Sequence, residues 1–404
     1  MGEMIEYNEV LDTILRFASG PLREETVPLS DALGRVLSRD VSSDMDMPPF
    51  NKSAMDGFAI RASDLADTPV SLKVVMDVPA GSMPTGTVKS GQAASIMTGA
   101  PVPKGADAVV MVEWTSGFGS DTVTVERSVS KGANVSFHGE IVKKDDVVLR
   151  TGTRIGAEEL GLLAMVGADP VWVHDLPRAA VLATGDEIVP ADKMPGPGQI
   201  RNSNGPAMFG FLKSLGLAPV NLGSVSDDIR ATREAIEEGL KHDVLIVTGG
   251  VSVGSYDFVE DVLSELNVKV HLNKIAVKPG KPTVFGTRGS SMVFGMPGNP
   301  VSCTVLSRVL VEPALNKRMG LIHPGPHKVR ARLLEDIRKK PDRLWFLYGM
   351  VSLTEEITVT PIPNLGSADV PYSAKGNCLI EASKGVSLIE AGEVVDVVVW
   401  EKSL

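Results

Sequence analysis

The sequence is poor in cysteine and has no excess of positive charge. Cys303 and Cys378 are the only two cysteines among 404 residues, and no CxxC spacing occurs, which argues against a disulfide framework or a zinc site and favours a reducing compartment. Lys and Arg number 40 against 50 Asp and Glu, giving a net charge of −10. A general nucleic-acid surface is therefore not expected, although local lysine clusters can still bind one anion. We predict a cytoplasmic protein.

Long apolar runs and a basic N-terminus are also missing. Residues 1–18 begin with acidic side chains and contain no uninterrupted apolar stretch, so we expect neither a signal peptide nor a membrane span, and no membrane partner. Apolar residues still make up 43% of the chain, which is ample for a core. A chain of this length is expected to fold as about two to four domains.

The pattern of apolar residues changes along the chain. Residues 5–18 have the spacing of an amphipathic helix, and residues 30–41 show a second apolar-periodic stretch that opens with the N-cap candidates Ser30 and Asp31. Short β-type runs punctuated by Gly and Pro then predict an inserted all-β module. From residue 178 strands and helices alternate, which predicts a mostly parallel sheet with covering helices. After residue 323 the pattern is again β. The predicted fold class is multidomain α/β plus β.

Two candidate sites follow predicted strands of the α/β domain, where ligands of such sheets bind. In TGDE, Asp186 and Glu187 project after a buried-type run, and two carboxylates suit a Mg²⁺ that also meets a phosphate, although a solvated acidic turn or helix start remains open. In TGGVSVGSYD, the backbone of Gly249 and Gly250 can converge on an anion, with Ser252 adding a hydroxyl. The loop matches neither a Walker loop nor GxGxxG, and a Gly-rich turn is the alternative.

The segment NKIAVKPGKP, residues 273–282, carries three lysines. In an extended run Lys274 and Lys278 share one face, and Lys281 follows on a Gly-bearing turn. Convergent ammonium groups are costly without an anion and can stabilise charge on a phosphoryl or oxyanion leaving group. This segment is therefore predicted to bind an anion.

The segment MPGNPVSC, residues 296–303, is predicted to join a strand to a long helix. Gly298 allows close backbone approach after Pro297, Asn299 and Ser302 can cap or donate, and the helix N-terminus favours an anion. Helix capping alone is the alternative. In the inserted module, Asp56 lies in a tight loop and reads more simply as a turn residue than as a ligand.

Together, SAMDGFA, IMTGAPVPKGADAVVMVE, TGDEI, IRNSN, TGGVSVGSYDF, KIAVKPGKPTVFG and GMPGNPVS resemble the molybdopterin molybdenumtransferases of the MoeA type, including the E domain of gephyrin. The match spans residues 50–318. The resemblance implies an elongated homodimer of four-domain subunits, with the site between domain III of one subunit and the inserted domain II of the other. It further implies adenylylated molybdopterin and molybdate as substrates, a divalent cation such as Mg²⁺, and release of AMP. Molybdate and tungstate are not distinguished.

The resemblance also implies site residues and their roles. Functional positions of the family fall on Asp56, Thr98, Glu187, Asp257, Lys274 and Lys278, and on Asp227 or Asp228. Asp186, Glu187, Asp227 and Asp228 are predicted to hold the cation. Asp56, Thr98, Asp257, Lys274 and Lys278 are predicted to act in catalysis. The predicted substrate-binding residues are Gly249, Gly250, Ser252, Lys281, Pro297, Gly298, Asn299, Ser302 and Ser367. Two positions depart from the family pattern, Ile141 and Tyr348.

The resemblance also implies a division of the chain into domains. Residues 1–20 form an N-terminal helix that packs with the α/β domain, residues 21–46 and 141–177 form domain I, which is elongated and dimerising, and residues 47–140 form domain II, an inserted β-rich lid. Residues 178–322 form domain III, the α/β domain that binds molybdopterin, and residues 323–404 form domain IV, a β domain. The predicted function is molybdate insertion, with a molybdopterin adenylyltransferase as pathway partner. Two alternatives are adenylylation of molybdopterin by this chain itself and a non-catalytic binding or scaffold role.

Overall fold

The computed structural model of the chain describes residues 4–18, 23–250, 259–363, 366 and 369–400. Within these residues, one six-stranded sheet is covered by helices, one five-stranded sheet forms an inserted module, and one six-stranded sheet forms a C-terminal β domain. The multidomain α/β plus β fold class predicted from the sequence is confirmed. No helix in the described residues is both long enough and apolar enough to cross a membrane.

The helix-covered sheet is largely parallel, as predicted. Its strands lie, from one edge to the other, in the order Val220–Val225, Ala179–Thr184, Val244–Thr248, Ser291–Met296, Val284–Arg288 and Lys269–Leu272. The first four are parallel to one another, whereas Val284–Arg288 is antiparallel to both of its neighbours. Every residue of the three central parallel strands is buried, because helices cover both faces. The carboxyl ends of these strands therefore meet at one edge of the sheet.

The helices around this sheet follow strand-end loops, except for the last, which continues the helix before it. They are Asn204–Ser214, Ile229–Gly239, Val259–Glu265, Pro300–Leu306 and Glu312–Arg318, with a π-helical turn at Ser307–Val311. The predicted N-terminal helix is confirmed at Tyr7–Phe17. Its apolar face belongs to the same core cluster as the sheet, and Tyr7 Oη donates to the carbonyl oxygen of Val309 at 3.2 Å.

The second helical pattern, at residues 30–41, was a wrong prediction. Only a single 3₁₀ turn forms, at Leu29–Asp31. Gly34 then takes a positive φ of 77°, a conformation that does not continue a right-handed helix. Val36 and Leu37 instead form isolated β-bridges with Arg154 and Val173. Pairing with distant backbone therefore overrides the local helical periodicity.

The inserted module is a five-stranded sheet. Its strands lie in the order Ala108–Met111, Gly57–Ile60, Gln92–Ile96, Val70–Val78 and Thr122–Val125. Beside it, Lys52–Ser53 pairs with Val135–Ser136. Two short strand pairs and one helix join this module to the rest of the chain. The strand pairs are Glu24–Val27 with Val171–His174 and Val41–Ser42 with Val147–Leu149, and the helix is Ala157–Met165.

The C-terminal sheet closes on itself. Its strands lie in the order Val277–Lys278, Leu344–Leu353, Ile357–Pro361, Lys328–Leu333, Val394–Val399 and Cys378–Ala382. The last of these also pairs with Leu344–Leu353, which completes a five-stranded barrel. Ile337–Arg338 pairs with Leu388–Ile389, and a short helix spans Val370–Ser373. The strand Val277–Lys278 comes from the α/β segment, so one of the predicted lysines lies where the two domains join.

Both cysteines are free and buried. Burial raises the pKa of the Cys303 and Cys378 thiols to about 12. Neither thiol is therefore suited to bind a metal or to react, which agrees with the absence of a cysteine motif in the sequence.

Candidate functional site

A cavity of about 310 Å³ opens at the carboxyl ends of the parallel strands. Three strand-end loops contribute to its lining, through Thr184 and Glu187, through Thr248 and Gly249, and through Gly298 and Asn299. A fourth wall comes from residues 200–204, at the start of the helix Asn204–Ser214. Several loops predicted from separate sequence motifs thus face one space.

Three buried polar atoms beside this cavity have no partner in the described part of the chain. The Oγ1 atoms of Thr184 and Thr248 and the Oδ1 atom of Asn204 have no hydrogen-bond partner among the described residues. Thr184 and Thr248 are 5% and 2% exposed. A buried unsatisfied polar group costs about 1–3 kcal/mol, so native proteins normally satisfy it with a ligand, water or another residue. These atoms fit a ligand that brings its own hydrogen-bonding groups.

The backbone of Gly249 lies too close to a neighbouring strand end for any side chain. Its φ is +93°, and a Cβ there would lie 2.5 Å from the carbonyl oxygen of Thr184. Its own N–H donates to the carbonyl oxygen of Met296 at 3.0 Å. This glycine therefore lets the ends of neighbouring strands approach closely, and its N–H is hydrogen-bonded within the protein. Gly250 also has a positive φ, of 64°.

The loop after Met296 is held from inside the protein. Cys303 Sγ donates to the carbonyl oxygen of Pro297 at 2.8 Å, and Asn204 Nδ2 donates to that of Gly298 at 2.7 Å. Asn299 is the N-cap residue of Pro300–Leu306, but its side chain makes no capping hydrogen bond. It therefore lines the cavity with its amide available to a ligand, whereas Ser302 is buried below at 2% exposure.

The predicted cation ligands lie along one side of this edge. Asp186 and Glu187 are exposed and follow the strand Ala179–Thr184, and Asp186 Oδ1 accepts a hydrogen bond from the backbone N–H of Asp227 at 3.0 Å. Asp228 is the N-cap of the helix Ile229–Gly239, where its Oδ1 accepts from the N–H of Ala231 at 2.8 Å. Of the four, only Glu187 lines the cavity.

No group of three or more His, Cys, Asp or Glu side chains is placed to hold a metal ion in the parts of the chain that the structure describes. Mg²⁺ does not require such a group, because it usually keeps several waters and takes only one or two carboxylates together with substrate phosphates. The exposed pair Asp186 and Glu187 fits that donor set. The residues present are thus compatible with Mg²⁺ bound jointly with a phosphate ligand.

The capping role of Asp228 can be separated from the effect of its negative charge. Asp228→Ala should lower the free energy of unfolding by about 1 kcal/mol, because the helix loses its N-cap, whereas Asp228→Asn should keep nearly full stability. Chemical denaturation of both variants measures this difference. If Asp228→Asn lowers stability as much as Asp228→Ala does, the negative charge rather than the cap stabilises this position.

A second cavity, of about 470 Å³, lies between the lysine segment and the barrel. Lys278, Arg338 and Trp345 line it. None of the ion pairs among the described residues involves Lys274, Lys278 or Lys281. Of the three, Lys278 lines this second cavity, which is a different one from that of Glu187 and Gly249.

The inserted module brings together two residues that the sequence analysis placed in one site. Asp56 Oδ1 accepts hydrogen bonds from the backbone N–H of Thr98 at 2.7 Å and from its Oγ1 at 2.8 Å. These hydrogen bonds, the backbone one first, lower the pKa of the Asp56 carboxyl below its usual range. Asp56 is therefore an exposed, ionised carboxylate held in a fixed orientation.

Several predicted positions have other surroundings. Ser252, Asp257 and Ser367 lie outside the described residues. Ile141 is 63% exposed, whereas Tyr348 is buried and donates from Oη to Thr304 Oγ1 at 2.9 Å. Sequence reasoning missed Thr184 and Asn204 as site residues. The signal for Asn204 was available, because the polar run IRNSN comes directly before a predicted helix.

Three family models match consecutive parts of the chain. The MoeA N-terminal region, described as domains I and II, matches residues 5–167. A model described as a probable molybdopterin binding domain matches residues 180–317, which contain the strand-end cavity. The MoeA C-terminal region, described as domain IV, matches residues 330–400.

Curated relatives and solved structures agree with these models. The molybdopterin molybdenumtransferase of Staphylococcus epidermidis is 35% identical over 383 residues, covering 93% of this chain and 91% of the relative. That of Staphylococcus aureus is also 35% identical, over 382 residues. The crystal structure of the molybdopterin biosynthesis moeA protein from Pyrococcus horikoshii superposes with a TM-score of 0.85 at 30% identity, covering 98% of this chain and 100% of that one.

Proposed function

The chain belongs to the MoeA-type family of molybdopterin molybdenumtransferases, and from that premise we propose that its strand-end cavity binds adenylylated molybdopterin. Its function is molybdenum insertion into molybdopterin in molybdenum cofactor biosynthesis. The observation that carries the proposal is a set of buried oxygen atoms of Thr184, Thr248 and Asn204 at that cavity, which have no hydrogen-bond partner among the residues that the structure describes. A flat, hydrogen-bonding ligand such as a pterin would satisfy them.

The substrate form proposed is the adenylylated one, and the oxyanion is molybdate or tungstate. Glu187 and Asp186 at the mouth would hold Mg²⁺ against the phosphates, with Asp227 and Asp228 nearby. The bound cation would neutralise phosphate charge. Asn299, Gly298 and the helix N-terminus that follows would face the anionic part of the substrate.

The oxyanion is proposed to bind at the lysines. Lys278 lines the second cavity together with Arg338, which forms an ion pair with Asp336 at 3.7 Å in the same lining. Neither Lys274 nor Lys281 makes an ion pair among the described residues. Unpaired ammonium groups attract a tetrahedral dianion, and they stabilise the charge that develops as the phosphoanhydride is cleaved and AMP leaves. Binding of the metal oxyanion and departure of AMP would then depend on the same cations.

Asp56 and Thr98 are proposed to complete the site from the partner subunit of a homodimer. Asp56 is exposed, ionised and fixed by Thr98, so it is suited to act on a ligand outside its own module. A held carboxylate can orient water or a cation at the scissile phosphoanhydride. A molybdopterin adenylyltransferase is the proposed source of the substrate.

Purified protein mixed with adenylylated molybdopterin and Mg²⁺ should release AMP when molybdate is added. Tungstate tested in parallel would decide whether the second oxyanion is also accepted. Release of AMP that ignores both oxyanions, or no release, contradicts insertion. Formation of adenylylated molybdopterin from molybdopterin and ATP would instead favour the adenylyltransferase alternative.

A further inference from the structure

The ammonium group of Lys278 lies over an aromatic ring. Its Nζ is 3.8 Å from the centroid of the Trp345 ring, a distance at which the face of an indole attracts a cation. The two residues are paired in register, because the strand Val277–Lys278 runs parallel to the start of Leu344–Leu353. Both line the second cavity. The cation is therefore held by a ring instead of by a carboxylate.

The ring itself is fixed by its own loop. Trp345 Nε1 donates to Asp342 Oδ1 at 3.1 Å, and Arg343 Nε donates to Asp342 Oδ2 at 3.2 Å. The hydrogen bond from Trp345 is the largest cause of a lowered pKa at Asp342. Asp342 thus remains an ionised acceptor that sets the orientation of the indole.

The same loop also holds the backbone of the lysine segment. Arg343 Nη1 donates to the carbonyl oxygen of Val277 at 3.2 Å, and the N–H of Leu344 donates to that of Ala276 at 3.3 Å. Lys339, which is 8% exposed, donates from Nζ to the carbonyl oxygens of Lys340 and Arg343, both at 3.2 Å. Backbone and ammonium of Lys278 are accordingly oriented by one short stretch of the barrel.

We propose that Trp345 is a positioning residue that presents the Lys278 ammonium to the metal oxyanion. An ammonium has three N–H donors, and the ring covers only one side of it, so the donors on the cavity side remain available to an oxyanion. A lysine side chain that is mobile in the free protein loses conformational entropy when it binds an anion. A side chain that is already held in place loses less, so it binds the anion more tightly. The ring keeps its contact in the bound state. This inference rests on the proposed function, because it assumes that Lys278 binds the oxyanion.

A comparison of two substitutions tests the ring face. Trp345→Leu removes the aromatic surface, and we expect molybdate to bind about tenfold more weakly, with a matching rise in KM and a smaller change in kcat. Trp345→Phe keeps a ring face while losing the hydrogen bond to Asp342, and should restore most of the affinity. Isothermal titration with molybdate gives the dissociation constants, and thermal unfolding verifies that both variants are folded.

Trp172 provides a matched control. Its ring also faces a cation, Arg39 at 3.6 Å, but it lies on the strand Val171–His174, away from both cavities. Trp172→Leu should bind molybdate as the wild type does. Tryptophan fluorescence adds a direct signal: molybdate should change the emission of the wild type and of Trp172→Phe, and should leave Trp345→Phe unchanged.

The outcomes separate this inference from the function it rests on. If Lys278→Ala loses molybdate binding while Trp345→Leu binds like the wild type, the positioning role is wrong and the proposed function stands. The positioning role is also wrong if Trp345→Phe and Trp345→Leu lose affinity equally, since the ring face would then not matter. If the wild type itself binds no molybdate, the proposed oxyanion site fails and the inference fails with it.

Discussion

Replacing Asp56 by alanine should lower molybdate-dependent AMP release by about a hundredfold or more, to the limit of detection. A lowered pKa makes Asp56 a weak base, so its proposed role is to orient water or a cation, and loss of such positioning can cost about 10²-fold in rate. Asp56 is fixed by both hydrogen bonds from Thr98, and its lowered pKa keeps it ionised at neutral pH. Release of AMP in a single-turnover assay measures the effect.

A second carboxylate of the same module serves as the control for Asp56. Asp64 is half-buried and, like Asp56, accepts two hydrogen bonds, from Ser90 Oγ and from the N–H of Gly91, both at 2.9 Å. Asp64→Ala should therefore disturb the module to a similar degree and leave AMP release unchanged. Wild-type rates for Asp56→Ala, or equal losses in both variants, would count against a role for Asp56 in the site.

Lys278→Ala should also reduce AMP release by about 10²–10³, because it removes a cation that is proposed to stabilise the charge that develops during the reaction. The loss should appear in molybdate binding as well as in kcat, since the ammonium faces the second cavity. Stability should change little, because Lys278 makes no ion pair among the described residues and its aromatic contact with Trp345 is partly exposed.

Lys213 offers the matched control for Lys278. Its Nζ lies 5.1 Å from the centroid of the Phe209 ring, so Lys213→Ala also removes a lysine that contacts an aromatic ring. It lies on the helix Asn204–Ser214 and lines neither cavity. AMP release at the wild-type rate is expected. Full activity of Lys278→Ala would show that this lysine does not serve the reaction.

Much of the fold could be predicted because local patterns and tertiary contacts agree. The helix Tyr7–Phe17 buries the apolar face that its spacing predicts, and the buried runs 179–184 and 244–248 are central strands. The helix prediction for residues 30–41 was wrong because the positive φ of Gly34 and two long-range β-bridges outweigh a short periodic pattern. The domain boundaries stay predictions.

The candidate site was predictable only where a motif follows a strand. Glu187, Gly249, Gly298 and Asn299 meet in one cavity because parallel strands end at one edge. The contact of Lys278 with Trp345 could not be read from the sequence, since it depends on pairing between the α/β segment and the barrel. The sequence also could not predict that Thr184 Oγ1 has no hydrogen-bond partner among the described residues, because this depends on where all the surrounding residues lie.

The central claim is that Asp56 of one subunit acts with the strand-end cavity and Lys278 of another. A heterodimer of one Asp56→Ala subunit and one Lys278→Ala subunit, purified through two different affinity tags, tests it. One of its two sites would then contain both an unchanged Asp56 and an unchanged Lys278, whereas the other site would lack both. We therefore predict AMP release at about half the wild-type rate per dimer, although each homodimer is inactive. If the heterodimer is as inactive as the two homodimers, the site is not shared between subunits in this way, and the account is wrong.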